Sequence, residues 1–279
     1  IIQKQSFFLH RILFFIIVIV FSACKTTDFS EHNLTDYDIS NISQHTWIKI
    51  QEGIEKIDCK INKTRFFSVV KVDLTTPNLS INVFPTTDKK DKWYHPISVT
   101  KFAKETNSTI SINTTPFAKQ NKFSLNSKVK PTGIIISNKE EIFPPNKKYS
   151  ALIINKIQNE YSAKIINSQQ NQFIKNNDYV IGGFWQILQD KQIIPFNKIL
   201  DRRSALGIDD SNTTLYFFIG NKFSYEDCAK ILLQLGATNA IEFDGGNSSE
   251  LIVKGKSLQK KFYTRKVAAI LGITIPTHN

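Results

Sequence analysis

One stretch near the C-terminus carries the strongest structural signal in the sequence, a helix pattern followed by a strand and glycines. Ser224 with Asp227 three residues later resembles a capping box, and an apolar i, i+3, i+4, i+7 stripe follows. Gly236 supplies the C-terminal stop of this helix. A strand over residues 240–244 then ends on Asp244, before two glycines. A carboxylate at a strand tip, followed by backbone that turns sharply, predicts a ligand site.

The remaining pattern is rich in strands. Apart from the helix that begins at Ser224, one segment, residues 98–105, has helical spacing, with Ser98 as its N-cap. Many strands with few helices predict an α+β fold, a single domain with mixed, largely antiparallel β-sheets and a few packed helices. The predicted strands, bounded by turn signals, cover residues 66–74, 79–84, 109–112, 133–137, 150–157, 178–181, 206–208, 214–220, 251–253 and 267–275.

The first residues predict export. A basic start (Lys4, Arg11), a short apolar run and small residues precede Cys24. This pattern indicates a lipoprotein signal peptide over residues 1–23, with lipidation of Cys24; an uncleaved anchor or ordinary signal peptidase cleavage are the alternatives. Residues 24–45 are polar and aperiodic, which predicts a tether. We therefore expect a lipid-anchored protein of the bacterial cell envelope whose folded domain covers residues 46–279.

Charge suggests the class of partner. The chain has 36 basic and 24 acidic residues, a net charge of +12. Residues 1–23 contain two of the basic residues and no acidic one, so the remainder has 34 against 24, or +10. Such a field favours anionic partners, here a sugar phosphate or a glycan, in addition to the membrane that holds the anchor. No basic-aromatic nucleic-acid motif occurs, so nucleic acid is not an expected partner.

Cysteine and histidine usage gives little sign of metal chemistry. If Cys24 carries lipid, Cys59 and Cys228 remain as an even pair that could form a disulfide. The alternative is that Cys228, on the apolar face of its helix, is a buried thiol. The five histidines are scattered and no His-Glu-x-x-His pattern occurs. The sequence therefore predicts no metal and no cofactor.

Four places combine polar residues with glycines or strand ends. The turn after Asp244 offers an anion-binding nest, or it is only a glycine-rich turn. Arg203, placed just before a strand, and Arg265 suit bidentate phosphate binding, or they make surface ion pairs. Asn113 at a strand end contacts a sugar or caps a turn. The predicted substrate-binding residues are Asn113, Gly182, Gly183, Glu242, Gly245, Gly246, Asn247, Ser248 and Ser249.

The residues at these places, and their order along the chain, resemble the motifs of the phosphodiester glycosidase family. The family's Arg-Thr-Ala-Ile-Gly is similar to residues 203–207, and its closing Arg-Pro-Val-Ala-Asn-Ala-Leu to residues 265–271. Its Leu-Gly-Ala-x-Asn-Ala-x-x-Leu-Asp-Gly-Gly-Gly-Ser-Ser signature is similar to residues 235–249 and is the most specific of the three. The resemblance implies a hydrolase that removes a sugar from a sugar 1-phosphodiester.

Five positions depart from the family's pattern. Thr114 and Thr115 replace the two glycines that follow Asn113, and Trp185 replaces the proline of Gly-Gly-x-Pro. Glu242 and Ala269 each stand where the family has asparagine. The altered Asn113 loop motivates a rival hypothesis, a non-catalytic glycan-binding surface lipoprotein on the same scaffold, and the basic face motivates a third, an adhesin.

The implied mechanism assigns catalytic roles to three residues. A phosphate leaving group needs charge stabilisation more than protonation, which Arg203 and Arg265 would supply with the turn amides. Asp244 would stabilise an oxocarbenium-like centre, act as nucleophile or activate water. Glu242 lies on the same predicted strand face and would be a second carboxylate; the alternative is an ion pair with a lysine or a solvated side chain.

Overall fold

The computed structural model describes residue 42 and residues 46–86, 93–124, 126–169, 174, 176–196, 198–259 and 264–276. The chain divides into two compact units, Ile1–Asn33 and Leu34–Asn279, and every described residue belongs to the second. The predicted signal peptide, Cys24 and all of the tether except Ile42 lie outside the described residues. Within the described part, no helix is long and apolar enough to span a bilayer.

The described residues form 20 strands, two α-helices and one short 3-10 turn, Gly246–Ser248. The helices are α1 (Val99–Glu105) and α2 (Tyr225–Gln234). The strands are β1 (Ile48–Gln51), β2 (Ile54–Lys60), β3 (Phe66–Asp73), β4 (Ser80–Phe84), β5 (Ile110–Asn113), β6 (Phe117–Lys119), β7 (Val129–Pro131), β8 (Ile135–Ser137), β9 (Glu140–Phe143), β10 (Ala151–Ile157), β11 (Glu160–Ile166), β12 (Tyr179–Gly182), β13 (Gln186–Gln189), β14 (Gln192–Ile193), β15 (Asp201–Ile208), β16 (Thr214–Phe223), β17 (Asn239–Glu242), β18 (Leu251–Val253), β19 (Lys256–Ser257) and β20 (Ile270–Thr274).

The strands make three larger sheets and one two-stranded ribbon, β6-β7. We call the eight-stranded sheet, in the order β1-β2-β3-β16-β15-β17-β13-β14, the large sheet. The five-stranded sheets are the β5 sheet, β19-β18-β5-β20-β4, and the β10 sheet, β11-β10-β12-β8-β9. All pairings between described strands are antiparallel. The predicted largely antiparallel sheets are thus confirmed, but two helices make the fold largely β.

The core lies between the sheets, and the helices cover outer faces. Alternate residues of β17 show this: Ile241 packs in the core shared by the three larger sheets, whereas Ala240 packs with Leu232 of α2. Phe102 of α1 packs with Ile270 of the β5 sheet. Glu242 follows the same alternation and therefore lies on the face of the large sheet that α2 covers.

Local sequence rules explain α2. The Ser224 hydroxyl accepts from the Asp227 amide, and the Asp227 carboxylate accepts from the Ser224 amide, which is the predicted capping box. Asp227 also accepts a hydrogen bond from the buried Arg65 guanidinium at 2.7 Å. Cys228 is a buried free thiol on the inner face of the helix, which excludes the Cys59–Cys228 disulfide. Burial raises the pKa of the Cys228 thiol.

Two predicted boundaries that affect the site are wrong. β15 begins at Asp201 rather than at residue 206, so Arg203 lies inside a strand, opposite Gly220. β17 ends at Glu242, so Asp244 lies two residues beyond the strand instead of at its tip. Both errors have one cause: polar residues in these segments make tertiary contacts, which residue type alone does not reveal.

Candidate active site

Asn113 is the buried junction at the centre of the site. Its side-chain Nδ2 donates to the Asp244 carbonyl at 2.6 Å. Its Oδ1 accepts from the Ser204 hydroxyl and from the Glu250 amide, each at 2.9 Å. Asn113 is 0% exposed. Both ends of its amide are therefore engaged by the protein, and it holds three distant segments together rather than facing solvent.

The turn after β17 is fixed at both ends. The Asp244 amide donates to the Thr114 carbonyl at 2.8 Å, and the Glu250 amide donates to Asn113. Gly246 has φ +60, a left-handed conformation that favours glycine. No acceptor for the Gly245 or Gly246 amide is found among the described residues, and successive main-chain donors in a turn are groups that bind anions.

The Asp244 carboxyl is partly buried, and its pKa lies close to neutral pH. Burial raises its pKa from the ordinary aspartate value to about 6, while the Ser248 hydroxyl and the charge of Arg265 act in the opposite direction. A carboxyl with this pKa is largely ionised at pH 7 but close to its titration range. Such tuning is characteristic of catalytic carboxyl groups, although structural networks also produce it.

Arg265 lies in the segment that precedes β20, and its charge acts on the Asp244 carboxyl. Its guanidinium lies 5.0 Å from the centroid of the Phe117 ring, which supports the planar cation from one side. The side chain is partly buried. The charge of Arg265 thus acts on the carboxyl that the sequence singles out.

Arg203 lies on the α2 side of the same turn. Its Nε donates to the Phe223 carbonyl at 3.0 Å, and its Nη2 to the Ile199 carbonyl at 2.7 Å. The guanidinium carbon lies 4.1 Å from the centroid of the Tyr225 ring. A Cβ added to Gly245 would lie 3.5 Å from Nη1, so this nitrogen is the part of the guanidinium nearest the turn.

Glu242 is the charge partner of Arg203. Its carboxyl is 0% exposed, and neither oxygen has a hydrogen-bond partner among the described residues. The predicted alternative of a solvated or lysine-paired side chain is therefore wrong. Burial raises the pKa of Glu242 well above its ordinary value, Arg203 opposes this shift, and Asp244 and Asp201 add to it. Glu242 therefore influences the site electrostatically, through both Arg203 and Asp244.

Gly182 and Gly183 are buried packing positions. A Cβ on Gly183 would lie 2.6 Å from the Glu242 carbonyl oxygen, and one on Gly182 would lie 2.8 Å from Gln169 Nε2. The Thr115 hydroxyl donates to the Gly182 carbonyl at 2.7 Å. These glycines allow two chain segments to approach closely, and the structure does not bring them to the surface beside Asp244.

The other members of the turn differ in exposure. Asn247 is exposed, and its Oδ1 accepts from Arg202 at 3.2 Å. Ser248 and Ser249 are buried. Sequence reasoning missed Ser204, Phe117 and Tyr225, which hold Asn113, Arg265 and Arg203. Only Ser204 had a local signal, since it lies inside a family motif.

Neither a metal cluster nor the main cavity competes with this site. In the part of the chain that the structure describes, no three His, Cys, Asp or Glu side chains are grouped as metal ligands would be. A cavity of about 730 Å³ lies at the end of α1, between Asn107 and Lys254. Its lining contains no carboxylate, histidine, cysteine or arginine, and its charged groups are Lys104 and Lys254, so it offers cations but no carboxyl group for glycoside chemistry.

Comparison with known proteins decides the family. Residues 106–274, more than half of the chain, match the family model described as phosphodiester glycosidase. The chain belongs to the phosphodiester glycosidase family. The match includes Asn113, Arg203, Asp244 and Arg265, so the whole candidate site lies within the family domain. The comparison with curated proteins finds no match.

Solved structures share the fold at low sequence identity. The catalytic domain of zebrafish N-acetylglucosamine-1-phosphodiester alpha-N-acetylglucosaminidase, auto-inhibited by its pro-peptide, superposes with a TM-score of 0.61 at 15% identity, covering 82% of this chain and 86% of that one. A hypothetical protein from Synechocystis gives 0.60 at 14% identity and 82% coverage, and this chain spans 63% of its length. A protein from Burkholderia pseudomallei gives 0.56 at 12% identity, covering 75% of this chain and 74% of that one.

We predict that Asn113→Ala destabilises the fold by roughly 3 kcal/mol or more, because it leaves buried partners without a hydrogen bond, at about 1–3 kcal/mol each. Urea unfolding followed by circular dichroism measures this loss. Asn82→Ala in β4 of the same sheet is the matched control. Asn82 is only partly buried and donates to Thr274 at 3.0 Å, so a loss of about 1 kcal/mol is expected. Equal losses would show that Asn113 is not a junction.

Proposed function

We propose that this protein is a hydrolase that cleaves a sugar from a sugar 1-phosphodiester. One observation carries the proposal: Asp244, held by Asn113 and interacting electrostatically with Arg265, begins a turn whose Gly245 and Gly246 amides have no acceptor among the described residues. A carboxylate, a cation and main-chain donors in one place match the needs of a sugar 1-phosphate bond. That bond breaks with positive charge on the sugar and negative charge on the phosphate.

Each group has a role in this reaction. Arg265 and the Gly245 and Gly246 amides hold the phosphate oxygens and stabilise the charge that the leaving group acquires. Arg203 contributes through Nη1, since its other two guanidinium nitrogens, Nε and Nη2, donate to carbonyls. The Asp244 carboxylate faces the sugar carbon, as nucleophile, as stabiliser of the oxocarbenium-like centre or as base for water. The bond that breaks joins the anomeric carbon to the phosphate oxygen.

The roles of the other predicted residues are indirect in this proposal. Asn113 sets the position of Asp244, and the buried Glu242 sets the electrostatic environment of Arg203. Asn247 is the exposed polar side chain of the turn and is proposed to contact the substrate's hydroxyl groups.

We predict that Asp244→Asn lowers turnover of glycosyl phosphodiesters by on the order of 10³-fold, because the amide lacks the negative charge. Release of sugar from a panel of such compounds is the assay. Asp209→Asn, in the hairpin at the opposite end of β15, is the matched control and should retain turnover. Full activity of Asp244→Asn would remove its assigned role, and saturable binding without turnover by the unaltered protein would favour the glycan-binding alternative.

We predict an acid limb in the pH profile with a midpoint near the Asp244 pKa of about 6. The carboxylate is the active form, so the rate rises as pH increases through this value and falls below it. Arg265 lowers this pKa, so Arg265→Gln should move the limb to higher pH as well as weaken phosphate binding. Lys266→Gln, the exposed neighbour, should leave the limb in place. A limb that does not respond to Arg265→Gln would contradict the assignment.

We also propose export and lipid anchoring at Cys24, supported by the sequence pattern of residues 1–24. Incorporation of a labelled fatty acid into the protein expressed in a bacterium measures this. Cys24→Ser should abolish the label, whereas Cys59→Ser should retain it. A labelled Cys24→Ser variant would show that the anchor lies elsewhere.

A further inference from the structure

Trp185 is the centre of an aromatic cluster on the surface beside Arg203. The tryptophan is 37% exposed although it contacts four other rings, all of them partly buried. The centroid distances from Trp185 are 5.1 Å to Phe184, 5.9 Å to Tyr149, 5.9 Å to Phe196 and 5.8 Å to Tyr225. The ring is therefore supported on several sides and still presents apolar area to solvent.

The backbone holds this indole rigidly. The Glu242 amide donates to the Trp185 carbonyl at 2.9 Å, and the Phe184 amide donates to the Glu242 carbonyl at 2.7 Å. Phe184 stacks on Trp185 with an angle of 19° between the rings. A ligand that packs on the exposed area would meet a preformed surface and would lose little affinity to ordering of the protein.

The cluster continues into the proposed catalytic site through one ring. Tyr225 contacts both Trp185 and Phe196, and it also lies beneath the Arg203 guanidinium at 4.1 Å. Arg203 Nη1 is in turn the nitrogen nearest Gly245. Two side chains, those of Tyr225 and Arg203, thus connect the exposed indole of Trp185 to the turn that follows Asp244.

We propose that Trp185, with Tyr149, Phe196 and Tyr225, is a stacking subsite for a pyranose ring of the substrate. This rests on the proposed function, since the ring is part of the phosphodiester held at the Asp244 turn. A pyranose has an apolar C–H face and a hydroxyl-bearing edge. The indole matches the face, and the two tyrosine hydroxyls are the polar partners for the edge.

An apolar alcohol on the phosphate is the competing occupant. Ile199 and Leu200, 62% and 37% exposed, precede β15 next to Arg203 and would favour an alkyl chain. The centre of the surface is nonetheless a planar ring with aromatic partners, and polar groups adjoin it. This combination suits a flat, hydroxylated ring better than a flexible chain, so the saccharide is the occupant that we assign.

The test is binding of methyl glucoside and methyl N-acetylglucosaminide, measured by saturation-transfer NMR on the purified chain. We expect transfer to ring C–H protons, weakened about tenfold by Trp185→Ala and less by Trp185→Phe. Phe123→Ala, which removes an aromatic ring that is 99% exposed elsewhere, is the matched control and should bind normally. Circular dichroism verifies that each variant is folded.

Other results would overturn the proposal or separate it from the proposed function. Saccharide binding that is absent, or that survives Trp185→Ala, removes the subsite. Trp185-dependent binding of dodecyl phosphate, without any binding of the glycosides, assigns the surface to an apolar alcohol instead. Trp185-dependent binding by a protein that hydrolyses no phosphodiester would retain the subsite and reject the hydrolase.

Discussion

The buried amide of Asn113 is the contact on which the geometry of the site depends. It joins β5 to Ser204 of β15, to the Asp244 carbonyl and to Glu250 before β18. These segments belong to two sheets and are far apart in sequence. Because the amide is fully buried, each bond would be expensive to lose. The position of the Asp244 backbone is thus determined by the packing of the two sheets, before any ligand binds.

Two arginines act on the carboxyl groups on either side of the turn that follows Asp244. On the β5-sheet side, Arg265 partly offsets the burial of Asp244 and keeps its carboxyl near its titration point. On the α2 side, Arg203 faces the sealed carboxyl of Glu242. The family's pattern has an asparagine at residue 242, so the acidic side chain gives this chain a different electrostatic environment around Arg203. Trp185, another departure from that pattern, lies on the same side.

Capping and periodicity rules correctly predicted the two helices, whose signals lie within a few neighbouring residues. The capping box and apolar stripe of α2 were read correctly, as was the N-cap of α1, because both depend on neighbours within one turn. Sequence motifs also indicated the family and the turn that follows Asp244. The burial of Glu242 could not be predicted, because carboxylates are usually exposed and its partner lies on another strand. The junction role of Asn113 depends on tertiary contacts that spacing along the chain does not encode.

The most direct measurement is hydrolysis of a glycosyl phosphodiester in water enriched in oxygen-18. If Asp244 and its turn act on the anomeric carbon, the heavy oxygen appears in the released sugar, and the phosphate product retains only its original oxygen. Mass spectrometry of the sugar and phosphorus NMR of the phosphate report this distribution. Heavy oxygen in the phosphate would mean attack at phosphorus, which contradicts the account.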